Sequence, residues 1–76
     1  MQLTHATLER RGESNALREL SSRIEAEYVE MPGLSVTLPQ AQRFWTADRH
    51  ECQTVFDQLI ARGVVRMTVR GRFIRA

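Results

Sequence analysis

Arginine side chains are concentrated at the end of the chain. From Arg62 to Ala76 there are five arginines and no aspartate or glutamate. Four of the five lie within ten residues of one another: Arg66, Arg70, Arg72 and Arg75. A cluster of guanidinium groups without neighbouring acids creates a local positive field that attracts a polyanion. All 11 basic residues are arginine and none is lysine, so the position of these charges is more informative than the choice of arginine over lysine.

The formal charge is divided unevenly along the sequence. Residues 1–39 carry four arginines against six glutamates, which gives −2, and residues 40–76 carry seven arginines against three acids, which gives +4. The net charge of +2 therefore understates how basic the second half is. A binding surface for an acidic partner is expected there.

Residues of the types used in catalysis are scarce. His5 and His50 are the only histidines and Cys52 is the only cysteine, and neither a glycine-rich phosphate loop nor a metal-ligand spacing is present. We therefore expect a protein that is not an enzyme and that needs no cofactor and no metal. Cys52 falls on the apolar side of a helix, where it is expected to be a buried core residue; a redox-sensing thiol is the alternative.

Length and composition indicate one small globular domain. The chain has 76 residues, of which 42% are hydrophobic and 26% are charged, the balance of an ordinary folded protein. No apolar stretch approaches the roughly 20 residues that span a bilayer, and the start MQLTHATLERR lacks the apolar run of a secretory signal. With its single cysteine, the chain is expected to be cytoplasmic and free of membrane contact.

The first half of the chain contains an arm and a helix. Residues 1–13 show little periodicity and are expected to form a mobile or weakly helical N-terminal arm, followed by a domain over residues 14–76. Ser14 is a plausible N-cap, and Pro32-Gly33 ends the helix. Its apolar residues recur at spacings of three and four: Leu17, Leu20, Ile24, Tyr28 and Met31. The segment 34–36 is short and β-prone, as expected of a small strand.

Two capping boxes then mark two helix starts. Thr37 with Gln40 and Asp48 with Glu51 each place a capping side chain three residues before a glutamine or glutamate. Starts that lie so close together predict a short helix, a tight turn and a second helix. In the short helix the side chains expected to face inward are Leu38, Ala41, Phe44 and Trp45.

The last helix and a hairpin complete the chain. The apolar residues of the helix follow the i, i+3, i+4, i+7, i+8 pattern of a buried stripe: Cys52, Val55, Phe56, Leu59 and Ile60. Gly63 supplies a left-handed end. Residues 64–69 and 72–75 are β-prone, and Arg70-Gly71 between them is a turn signal. A two-residue turn there would place Arg66 opposite Arg75, and a longer turn would change that register.

This order of elements over residues 14–75 resembles the winged helix-turn-helix superfamily of DNA-binding proteins. The passage Glu-Tyr-Val-Glu-Met-Pro-Gly-Leu at 27–34 is also similar to one in short bacterial proteins of this type. The resemblance implies an α+β fold with a three-helix core, a short strand and a C-terminal β-hairpin wing over residues 64–75. It also implies that the helix near 48–62 is the recognition helix, which enters the major groove.

The resemblance gives roles to polar residues. The candidates to contact base edges lie on the helix side opposite the apolar stripe: His50, Gln53, Thr54, Asp57 and Gln58. The candidates for phosphates or the minor groove are arginines: Arg43, Arg49, Arg66, Arg70, Arg72 and Arg75. Polar residues on a helix face are also ordinary solvent-exposed surface, and this alternative applies to each glutamine and to Thr54. Asp57 is awkward beside phosphates unless it meets a cytosine or an arginine such as Arg49 or Arg62.

The sequence is therefore compatible with two functions. The first is a small DNA-binding protein, a transcriptional regulator acting on double-stranded DNA. The second is a winged-helix protein-protein interaction module without DNA binding, motivated by the acids of the last helix and by the lack of a ligand-sensing domain. A homodimer is expected to form through the arm before Gly12 and the exposed part of the 14–31 helix.

Overall fold

The computed structural model describes the backbone from Gln2 to Ala76 and the side chains from Asn15 onward. In this part of the chain three helices and three strands follow one another in the order α1-β1-α2-α3-β2-β3. Their bounds are α1 Gln2–Glu30, β1 Ser35–Thr37, α2 Leu38–Phe44, α3 Arg49–Ala61, β2 Val65–Met67 and β3 Arg72–Arg75. The prediction of a small α+β domain is confirmed, with three helices and one antiparallel sheet.

Helix α1 begins much earlier than predicted. The backbone is helical from Gln2, so Ser14 lies inside the helix and the predicted N-cap at Ser14 is wrong. Gly12 costs roughly 1 kcal/mol in a helix relative to alanine, but the leucine, glutamate, arginine and alanine residues around it are strong helix formers. The side chains of residues 1–13 lie outside the described ones, and a separate role for them as an arm stays a prediction.

The second half of α1 packs on the core. Leu20, Ile24 and Tyr28 are buried, and Leu17 packs partly against them. The helix ends at Glu30, so Met31 does not continue the buried stripe and is 41% exposed, contrary to expectation. The Tyr28 hydroxyl donates a 2.6 Å hydrogen bond to the carbonyl oxygen of Phe73. This bond joins α1 to the central strand of the sheet.

Both capping boxes are confirmed. The Thr37 hydroxyl accepts from the Gln40 N–H at 3.3 Å, and the Gln40 side chain accepts from the Thr37 N–H at 2.9 Å. At α3 the Asp48 carboxylate accepts from the Glu51 N–H at 2.7 Å, and the Glu51 carboxylate accepts from the Asp48 N–H at 3.0 Å. Between the helices Thr46 has φ +50°, which reverses the chain within a few residues.

The core forms where α1, α2, α3 and the sheet meet. Four of the five apolar residues predicted for α3 are fully buried: Cys52, Val55, Phe56 and Leu59. Ile60 was expected to join them, but it lies at the flank of the stripe and is 38% exposed. Phe44 was also expected to face inward, but it is 51% exposed and rests on the ring of Trp45 at 4.7 Å. Trp45 and Ala41 already fill the space beneath α2.

The three strands form one antiparallel sheet in the order β1-β3-β2. Strand β3 is central, with Phe73 opposite Val36 on one side and opposite Met67 on the other. The Phe73 ring stacks on Phe56 of α3 at a centroid distance of 4.0 Å. The sheet face that carries Phe73 is therefore the core face, and α3 is fixed against it.

Candidate nucleic-acid interface

Four residues, Thr68 to Gly71, lie between β2 and β3, and Thr68 pairs with Arg72 to close a three-residue turn formed by Val69 to Gly71. The Thr68 N–H donates to the Arg72 carbonyl at 2.8 Å and the Gly71 N–H donates to the Thr68 carbonyl at 3.0 Å. Gly71 has φ +76°, the left-handed geometry that closes a three-residue hairpin loop. Of the two turn lengths that the sequence left open at Arg70-Gly71, the structure therefore has the longer one.

The longer loop changes which arginines meet. Arg66 lies opposite Ile74, and Arg75 lies opposite Val65. Arg66 and Arg75, which only a two-residue turn would have paired, do not face each other, because the two side chains leave opposite faces of the sheet. Each arginine of the hairpin must therefore be placed separately.

Arg66 and Arg72 share the sheet face that points away from the core. Side chains alternate along a strand, so Arg72 and Ile74 point away from the Phe73 side, and Arg66 is paired with Ile74. We call this the outer face; its members are Ser35, Thr37, Arg66, Arg72 and Ile74. The two arginines are diagonal neighbours, which puts their Cα atoms roughly 7–8 Å apart. Both side chains are exposed.

No acid neutralises this pair among the described side chains. The ion pair formed by those side chains joins Arg62 to Glu25, and the acids nearest in sequence belong to α3. Two like charges on neighbouring strands repel each other unless an anion lies between them. The outer face therefore has the chemistry to hold a phosphate between two guanidinium groups.

The remaining two hairpin arginines occupy different places. Arg70 is exposed in the loop beside Val69, whose side chain is fully exposed. Arg75 leaves the core face at the far end of β3 and borders an open cavity of about 280 Å³, together with Tyr28 and Val64. Of the four predicted wing arginines, Arg66, Arg70 and Arg72 lie on the outer face or in the loop, and Arg75 does not join them.

Helix α3 presents the predicted polar face. His50, Gln53, Asp57 and Gln58 are exposed, and Thr54 is half-buried. At about 100° per residue they lie on the side of α3 away from Cys52 and Leu59, which are buried against the rest of the domain. A helix exposed along one whole side can enter a groove of about 12 Å, the width of the DNA major groove.

The three acids of α3 and its cap have local hydrogen-bond donors. Asp48 and Glu51 accept from each other's backbone N–H groups, and they lie at the helix N-terminus, where the helix dipole favours negative charge. Asp57 accepts a 2.9 Å hydrogen bond from the side-chain amide of Gln53. Of the two arginines named as possible partners of Asp57, Arg62 is paired with Glu25 instead.

Two further predicted phosphate contacts, Arg43 on α2 and Arg49 at the start of α3, are exposed. Neither is paired with an acid among the described side chains. Arg62 is held by Glu25 in a two-pronged contact of 3.2 and 3.4 Å. This pair is partly exposed, so it contributes little stability, but it orients the end of α3 relative to α1.

Burial of the thiol keeps Cys52 out of this surface. The pKa of Cys52 is raised above its ordinary value by burial, and the charges of Glu51 and Asp48 raise it further. A thiol with a raised pKa is a weak nucleophile. The interpretation as a core residue is thus supported over the redox-sensing one.

Sequence reasoning missed the Gln53–Asp57 hydrogen bond and the exposure of Met67 and Val69. The spacing of four residues on one helix could have indicated the first. The exposure of Met67 had no signal in the sequence, because it follows from β2 being an edge strand.

In the part of the chain that the structure describes, no helix has both the length and the apolar character needed to cross a bilayer. No protein-family model, curated protein or solved structure matches this chain.

Proposed function

We propose that the protein binds double-stranded DNA as a winged helix-turn-helix domain and acts as a transcriptional regulator. In this proposal α3 enters the major groove and presents its polar face to the base edges. The C-terminal hairpin is the wing: Arg66 and Arg72 bind the phosphate backbone, and Arg70 in the loop approaches the minor groove. The observation that carries the proposal is the pair of unneutralised arginines on the outer face.

The order of the elements supports this proposal. A short helix, a tight turn and a longer exposed helix, followed by a hairpin, is the arrangement in which winged helices place a recognition helix beside a wing. The stacking of Phe56 on Phe73 fixes the position of the sheet relative to α3.

The alternative is a protein-interaction module whose partner is acidic. Its main motivation was the set of acids on the last helix, and each of these has a local role in capping or in a side-chain hydrogen bond. Their presence therefore requires no protein partner. The remaining support for this alternative is that an arginine cluster also attracts acidic proteins.

The test is binding to a mixed-sequence DNA duplex, measured by fluorescence anisotropy at several salt concentrations. Each phosphate contact adds about 0.9 to the slope of log affinity against log salt. Replacing Arg66 and Arg72 together by alanine should weaken binding at every sequence and reduce that slope by about 2. The matched control is Arg75→Ala, which removes the same kind of charge from the other face and should leave the slope almost unchanged.

If Arg75→Ala reduces the slope as much as each replacement in the double variant does, the outer face is refuted as the phosphate site. Absence of duplex binding by the wild-type protein even at low salt would refute DNA binding altogether. In that event, an acidic protein whose binding is lost in the Arg66→Ala, Arg72→Ala variant would support the interaction module.

The homodimer stays a prediction. Light scattering at micromolar concentration should give twice the chain mass of 8.8 kDa. A monomeric mass would contradict it, and would predict binding to a single half-site.

A further inference from the structure

Gln53 and Asp57 form a side-chain pair on the exposed side of α3. They are four residues apart, so they lie above one another on the helix surface. The Gln53 Nε2 donates to the Asp57 Oδ1 at 2.9 Å, and both residues are exposed. The pair fills no space in the core, and a hydrogen bond of this kind on a helix surface contributes only about 0.2–0.5 kcal/mol to the stability of the helix.

The chemistry of Asp57 determines how the Gln53 amide is oriented. An ionised carboxylate only accepts hydrogen bonds, so the NH₂ group of Gln53, and not its oxygen, must face Asp57. The Nε2 atom carries two hydrogens, of which one is used in this bond. The second N–H and the Oε1 atom remain available as one donor and one acceptor side by side.

We propose that Asp57 is a positioning residue which holds Gln53 in the orientation that recognises adenine in the major groove, an inference that rests on the proposed DNA binding. Adenine presents an N7 acceptor and an N6 amino donor on its major-groove edge. These match the free N–H and the free Oε1 of Gln53. Guanine offers two acceptors on that edge, so it would leave Oε1 without a partner.

The negative charge of Asp57 has a second consequence. A carboxylate on the helix surface that enters the groove is repelled by phosphates, so it lowers the affinity for DNA of any sequence. The same residue therefore weakens non-specific binding and sharpens recognition of one base. This explains why an acid lies on a face that otherwise carries uncharged polar groups.

Gln58 is the natural comparison within the same helix. It is also exposed and also a glutamine, but no hydrogen bond from a described side chain orients its amide. An amide that can rotate by 180° presents its donors and its acceptor in either orientation, so it discriminates poorly between bases. We expect Gln58 to contribute less to the choice of sequence than Gln53.

The experiment is selection from a randomised duplex library, followed by sequencing of the bound fraction and affinity measurements on the selected duplex. The wild-type protein should select adenine at one position, by about 5-fold to 150-fold over the other bases. Gln53→Ala should abolish this preference, and Gln58→Ala, which removes a glutamine whose amide has no orienting partner among the described side chains, should reduce it much less.

Two variants of Asp57 separate its hydrogen bond from its charge. Asp57→Asn and Asp57→Ala both remove the charge, so both should increase low-salt affinity for unrelated duplexes. The amide introduced by Asp57→Asn keeps an oxygen that can accept from Gln53, so this variant should retain more of the adenine preference than Asp57→Ala. Equal adenine preference in the two variants, or wild-type preference in both, would overturn the inference while leaving DNA binding intact.

Other outcomes are also informative. Retention of the adenine preference in Gln53→Ala, or a selected site without any adenine position, would overturn the inference. A wild-type protein that binds no duplex at low salt would overturn the proposed function and this inference together. Duplex binding is measured separately for every variant. A failure of the adenine preference is therefore distinguished from an absence of DNA binding.

Discussion

Replacing Tyr28 with phenylalanine tests how α1 is joined to the sheet. The substitution removes one oxygen atom from a side chain that is only 1% exposed. That oxygen donates a 2.6 Å hydrogen bond to the Phe73 carbonyl across 45 residues of sequence. Loss of a buried hydrogen bond that leaves its acceptor without this partner costs about 1–3 kcal/mol. Each kcal/mol should lower the melting temperature by about 4–8 °C in a domain of this size.

The same tyrosine gives the stability a dependence on high pH. Burial raises the pKa of Tyr28 from 10.0 to about 12. A group whose folded pKa lies above its unfolded value stabilises the fold below the unfolded pKa, and that contribution is lost as the pH rises through the folded pKa. The window is therefore pH 10 to 12, and a shift of this size corresponds to about 3 kcal/mol at most. The Tyr28→Phe variant should lack this loss.

Tyr28 is the only tyrosine in the chain, so the ultraviolet absorbance of its phenolate can be titrated without interference from others. The buried Trp45 reports by its fluorescence whether the protein is still folded. We expect phenolate to appear well above pH 10, the ordinary pKa of tyrosine, or to appear together with unfolding. A reversible titration at that ordinary pKa with the Trp45 emission of the folded state would refute the burial of the hydroxyl.

Three further predictions concern a thiol, a cap and a turn. Cys52 should react with a thiol reagent at least about a hundredfold more slowly in the folded protein than in denaturant, because exposure requires opening of the core; fast reaction would contradict its burial. Asp48→Ala should lower the free energy of unfolding by about 1 kcal/mol through loss of the N-cap, measured by urea denaturation, and an unchanged midpoint would argue against the capping box. Gly71→Ala should cost about 1–2 kcal/mol because its φ is +76°, whereas the control Gly33→Ala, which lacks a positive φ, should be nearly neutral in the same melting experiment.

The parts of the fold that depend on neighbouring residues were predictable. Both capping boxes and the left-handed Gly63 involve side chains within a few residues of the backbone they satisfy. Local chemistry determines such features, so a pattern of residue types is sufficient. The start of α1 was missed because Ser14 and Gly12 are signals of a boundary that strong helix formers on both sides can override.

Features that depend on the packing of distant elements were less predictable. Phe44 and Ile60 fit an apolar stripe by spacing, but the rings of Trp45, Phe56 and Phe73 occupy the available core. The flanking residues are therefore left partly exposed. In the same way, the number of residues in the loop after β2 decides which face each arginine occupies, and a turn signal alone does not state that number.

Within the candidate site, the sequence shows which residues are arginines. The structure shows that these arginines lie on different faces of the sheet. Arg66 and Arg72 share a face, whereas Arg75 leaves the sheet on the opposite side. Arg62 is neutralised by Glu25 and is no longer part of a continuous basic cluster. A count of arginines along the sequence does not distinguish among Arg62, Arg66, Arg72 and Arg75. The register of the sheet shows that only two of them are diagonal neighbours on one exposed face.

The distribution of partners matters more than the net charge of +2. The acids closest to the proposed interface accept hydrogen bonds from the helix backbone or from Gln53, so they have structural roles at fixed positions. The arginines of the outer face have no such partner among the described side chains, and an anion bound between them would relieve their mutual repulsion. Because each arginine that contacts a phosphate displaces condensed cations from the DNA, the affinity should fall as the salt concentration rises even though the whole chain is only weakly basic. The slope of log affinity against log salt therefore tests the register of the hairpin in solution.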